Sequence, residues 1–62
     1  MHTLLQRIER YLDRTETPAT RFGRRAVNDP RLVEDLRRGR ECRPPTAQRI
    51  ERYLVAHGEA AR

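Results

Sequence analysis

The sequence predicts an all-α chain of four short helices, and three observations carry that prediction. Apolar residues recur at helical spacing in separate short stretches, side chains that open helices stand ahead of them, and glycine closes the last two. The first helix is expected over residues 4–13. Thr3 is placed to cap it, Gln6 to complete a capping box, and Leu4, Leu5, Ile8, Tyr11 and Leu12 form its apolar stripe. Thr17-Pro18 announces a second helix over 18–26, a capping side chain followed by proline at the first helical position. Asp29-Pro30 repeats that signal for a third helix over 30–38. Proline disfavours helical backbone at the residue before it, so a turn is forced at Val27-Asn28-Asp29. Gly39 suits the stop of the third helix. An irregular stretch, 40–44, then leads to a fourth helix over 45–56, closed by Gly58, and residues 59–62 are expected to fray.

Sixty-two residues allow one domain, read here as the whole protein. A core of this size rarely supplies more than roughly 3–5 kcal/mol, so helix packing must be tidy. The single cysteine, Cys42, forms no internal disulfide and has no second ligand nearby for zinc, which points to a reduced, cytoplasmic setting. Residues 1–14 lack an uninterrupted apolar run, so neither a signal peptide nor a membrane span is expected.

The net charge of +5 comes from arginine alone on the basic side, with no lysine. GC-rich coding would favour arginine, but placement tells more than total. Eight arginines face four acids between Arg21 and Arg43, so this segment holds most of the excess charge. The heptapeptide QRIERYL occurs twice, at 6–12 and 48–54. In each copy Ile, Tyr and Leu share one helical face, which suits either a shared packing demand or, less simply, matched surfaces for self-association.

Residues 22–39, FGRRAVNDPRLVEDLRRG, carry the main motif. Phe22-Gly23 is an apolar-then-small pair, Ala26 follows three positions later, Val33 and Leu36 mark the third helix, and Gly39 closes it. This segment resembles the phage repressor/Cro type of helix-turn-helix, the XRE family. The resemblance spans about residues 4–54 and implies a compact, lambda-repressor-like four-helix domain. Gly23 costs about 1 kcal/mol against alanine inside a helix, which makes sense where another backbone packs close. The family usually has glycine in the turn where this chain has Val27. A β-branched residue is badly strained at positive φ, so Asn28 is expected to take the left-handed conformation.

The resemblance implies DNA-facing positions. Base-reading candidates are Asp29, Pro30, Arg31 and Glu34. Arg31 suits a guanine edge, Glu34 could accept from cytosine N4, and Asp29 and Pro30 are better suited to capping. Leu32 could touch a thymine methyl but is expected in the core. Phosphate-contact candidates are Arg38, Arg37, Arg40 and Arg43 after the third helix, with Thr17, Thr20 and Arg21 at the start of the second. Arg24 and Arg25 are read as a solvated face.

The function expected is sequence-preferring binding of double-stranded DNA in its major groove, by a small bacterial or phage-type transcriptional regulator acting on the nucleoid. A homodimer is compatible, with Tyr11, Tyr53 or Val55 as its surface. The alternative is a protein adapter that binds RNA polymerase, a sigma factor or another regulator, favoured by the acidic Glu34-Asp35 pair. RNA binding is a third reading, opposed by the three aromatics and the lack of a stacking platform. Enzymatic chemistry is not expected: His2 and His57 lie near opposite ends, Cys42 has no adjacent base, and no carboxylates are paired for acid–base work. No cofactor or metal is implied.

Overall fold

The computed structural model describes residues 3–58, so the reading of 59–62 and of His2 lies outside the described residues. The described residues fold as four helices, α1 (Leu4–Thr15), α2 (Ala19–Val27), α3 (Leu32–Arg37) and α4 (Pro44–Ala56). This is the all-α architecture expected from the sequence.

Local chemistry accounts for each boundary. Thr3 accepts the N–H of Gln6 at 3.1 Å while the Gln6 side chain takes the N–H of Thr3 at 3.0 Å, a closed capping box. α1 runs two residues further than expected and ends on Glu16, which is left-handed at φ 54°. There Thr17 N–H reaches back to Leu12 O at 3.1 Å, and its hydroxyl sits 2.7 Å from that of Thr15. Thr17 is thereby used to finish α1, and Pro18 stands at the cap position of α2 without a side-chain bond. The expected Thr17 cap is thus corrected.

Asn28 takes the left-handed conformation at φ 59°, as the β-branched Val27 required. α3 differs from expectation, with six residues and a start at Leu32. Asp29 explains the delay: its Oδ1 accepts the N–H of Arg31 at 2.9 Å and its carbonyl accepts that of Leu32 at 3.2 Å. Pro30 and Arg31 therefore form a turn rather than the first helical residues. The far end closes as a Schellman motif, with Gly39 at φ 97°, Arg40 N–H on Asp35 O, and Gly39 N–H on Leu36 O, both at 3.0 Å. α4 opens one residue early, with Pro44 and Pro45 in its first turn, where missing N–H groups cost nothing.

Each helix contributes one apolar stripe to a single core: Ile8, Tyr11 and Leu12, then Phe22 and Ala26, then Leu32 and Val33, then Ile50 and Leu54. Phe22 is fully buried at the centre, its ring 5.7 Å from Tyr11 and 5.3 Å from Tyr53. Tyr11 and Tyr53 meet edge-on at 6.2 Å. The two QRIERYL copies thus supply equivalent Ile, Tyr and Leu residues to one core, which accounts for the repeat by packing. Contacts from Arg7 to Glu51, Tyr11 to Tyr53 and Arg14 to Gly58, just past the end of α4, step in the same order along both segments, so α1 and α4 run parallel. No described helix is long and apolar enough to cross a membrane.

Candidate nucleic-acid interface

The α2–α3 junction determines which side chains face outward. Asp29 N–H donates to Gly23 O at 3.0 Å, folding the turn back over α2. A Cβ placed on Gly23 would lie 2.1 Å from Asp29 O and 3.1 Å from Leu32 Cβ, so only glycine fits this crossing. With Leu32 and Val33 buried against α2 and the core, α3 turns Glu34, Arg37 and Arg38 to solvent, preceded by exposed Pro30 and Arg31. Leu32, 5% exposed, is closed to any thymine methyl.

Two clefts flank the turn. One is lined by Pro18, Thr20, Arg21, Arg24 and Pro30, and so joins the start of α2 to the entry of α3. It contains no acid. The other brings Asp29 together with Asp35, Arg40, Glu41, Cys42 and Arg43, a mixed lining in which Arg40 pairs with Asp35 at 3.2 Å. Burial pushes the Cys42 thiol up from its ordinary pKa, which disfavours thiolate chemistry there. Among the described residues no three His, Cys, Asp or Glu side chains group to hold a metal ion.

The candidate residues therefore separate by what holds them. Arg21, Arg24, Arg31 and Arg43 make no ion pair among the described residues, leaving their guanidinium groups open to an anion. Thr20 and Arg21 share the acid-free cleft, whereas Thr17 is half-buried against Thr15 and turned from it. Arg38 pairs with Glu34 at 3.1 Å along the outer face of α3. Arg37 is engaged elsewhere. Its fork binds Glu9 of α1 through Nε at 2.6 Å and Nη2 at 2.7 Å, a bidentate tie between helices. Arg24, read from sequence as a solvated face, is exposed and lines the same cleft as Arg21. It stands one turn after Arg21, and residues three apart share a helix face. Tyr11, at 7% exposed, is closed to a partner, while Val55 is 67% exposed.

The Arg37 guanidinium holds the Glu9 carboxyl below its ordinary range near 4.5, chiefly through its hydrogen bonds, which outweigh the opposing effect of burial and are aided last by its charge. A carboxylate with a depressed folded pKa adds stability that is present above its unfolded value and lost as pH falls through the folded one. Glu9→Gln is accordingly expected to lower the melting temperature at pH 7. The gap to wild type should narrow as pH drops below about 4.5 and close in stronger acid. Thermal melts at stepped pH check this, and a gap independent of pH would contradict it.

No protein-family model matches the chain, and neither does any curated protein or any solved structure.

Proposed function

We propose that this chain binds double-stranded DNA with sequence preference, laying the outward face of α3 in the major groove as a small repressor-like transcriptional regulator of the nucleoid. One observation carries the reading. The glycine-tight crossing of α2 and α3 sets Pro30, at the entry of α3, against the acid-free Arg21–Arg24 cleft, and Arg21, Arg24 and the next residue after Pro30, Arg31, make no ion pair among the described residues. Guanidinium forks at the edges of such a surface suit phosphate, and one at its centre suits a guanine edge. Arg38 and Arg43 extend the basic rim, while Arg37 is assigned to holding α1 on α3.

The adapter alternative drew on the acidic Glu34-Asp35 pair. Each of these carboxylates meets an arginine, Arg38 and Arg40, so they present no free acidic patch to a polymerase or sigma factor. Fluorescence anisotropy at stepped salt tests the DNA reading. Replacing Arg21 and Arg24 together by alanine is expected to weaken binding to all duplexes alike. It should also reduce the slope of log affinity against log salt by about two. Unchanged affinity and slope would remove the α2 cleft from the interface.

A further inference from the structure

The outer face of α4 is used neither by the core nor by the proposed DNA surface. Ile50 and Leu54 turn inward, which leaves Gln48, Arg49, Arg52, Val55 and Ala56 exposed along about 12 Å of helix. None of the five lines either cleft beside the α2–α3 turn. Val55 is the one large apolar side chain left in solvent among the described residues. It shares an open, mostly apolar cleft with Ala56, Arg52 and Glu51. The acid in that cleft is already engaged, for Glu51 pairs with Arg7 of α1 at 3.6 Å. Arg49 and Arg52, one turn apart, make no ion pair or hydrogen bond among the described residues.

A lone exposed valine needs no explanation. Here it ends a stripe whose uncompensated charges are all positive, and that charge selects the occupant. A second copy laid along this helix would set Arg49 and Arg52 against the same two residues, a like-charge contact. A DNA duplex would accept the arginines but offers phosphate to Val55 and Ala56. An acidic amphipathic helix satisfies both parts. Its apolar side chain would enter the cleft beside Val55, over the small Ala56, while carboxylates one and two turns away would meet Arg52 and Arg49. We propose that the outer face of α4 docks an acidic amphipathic helix of a partner protein. Bound there, the partner leaves α3 uncovered.

Two synthetic helix-forming peptides test this on the full chain. Each carries one leucine, with either glutamates or lysines one and two turns away on the same face. Amide chemical shifts followed through a titration are expected to show the glutamate peptide binding roughly tenfold more tightly than the lysine peptide. The shifts should concentrate over residues 48–56. Replacing Arg49 and Arg52 together by glutamate should reverse the preference, and Val55→Ser should weaken the glutamate peptide several-fold. These side chains are exposed, so circular dichroism should show both variants folded. A preference for glutamate that survives the charge reversal would mean that basic surfaces in general attract the peptide, and so would shifts centred on Arg21, Arg24 and Arg31. Either result overturns the proposal. It falls equally if neither peptide binds at millimolar concentration, or if sedimentation shows a dimer that Val55→Ser dissociates, because a second copy then covers the face. None of these outcomes bears on DNA binding by α3.

Discussion

Gly23→Ala is expected to abolish the native fold, an outcome opposite to that of the same change in an ordinary helix. Alanine inside an exposed helix stabilises by about 1 kcal/mol over glycine. Here the added methyl would lie 2.1 Å from the carbonyl oxygen of Asp29, 3.3 Å from its carbonyl carbon, and 3.1 Å from Leu32 Cβ. Two of those atoms are backbone, so no side-chain rotation relieves the clash. The turn would have to lift from α2, breaking the Asp29 N–H bond to Gly23 O and drawing Leu32 out of the core. Overpacking typically costs about 1–3 kcal/mol and more where backbone is struck, against a total near 3–5 kcal/mol for a domain this small. Circular dichroism on heating should show no cooperative transition for the variant, or one lowered by tens of degrees. A melting point equal to wild type, or higher, would mean that α2 and α3 do not cross at this contact.

Phe22→Ala should be comparably severe, for the reverse reason. Phe22 is fully buried and its ring meets both Tyr11 and Tyr53, so it ties α1, α2 and α4 together at the core's centre. Truncating a buried phenylalanine costs about 3–5 kcal/mol, the lost transfer energy plus a cavity that neighbours fill only in part. That equals the whole expected stability. Phe22→Leu keeps most of the volume and should remain folded with reduced stability. Urea titration of the two variants separates them: the alanine protein should lack a native baseline, and the leucine protein should retain one. A loss below about 1 kcal/mol for Phe22→Ala would contradict the central placement of this ring.

The features legible in sequence were those determined within a few residues. Thr3 and Gln6 cap α1 because they stand three apart at a helix start, and Asn28 and Gly39 take positive φ because no neighbouring residue tolerates it as well. Gly23 was readable because a glycine within helical signals implies close approach. The capping role of Thr17 is not legible in sequence because two threonines compete at the end of α1, and the tertiary course of the chain gives Thr17 to that end. The late start of α3 turns on one side-chain bond, Asp29 to Arg31, that a proline-based rule does not contain. Arg37 could not be told from its neighbours at all. Its partner Glu9 is 28 residues away, and only the packing of α1 against α3 brings the two together.

Those distinctions converge on one claim, that the surface around Arg31 reads DNA sequence. Binding titrations with the duplex upstream of the coding sequence and with its scrambled counterpart, at stepped salt, test it most directly when wild type is compared with Arg31→Ala. Steep salt dependence, a preference for the upstream duplex, and loss of that preference in the variant with little change in salt slope are expected. Equal binding of both duplexes, unaltered by Arg31→Ala, would contradict sequence reading by this face. Absence of binding even at low salt would leave the protein-adapter reading in its place.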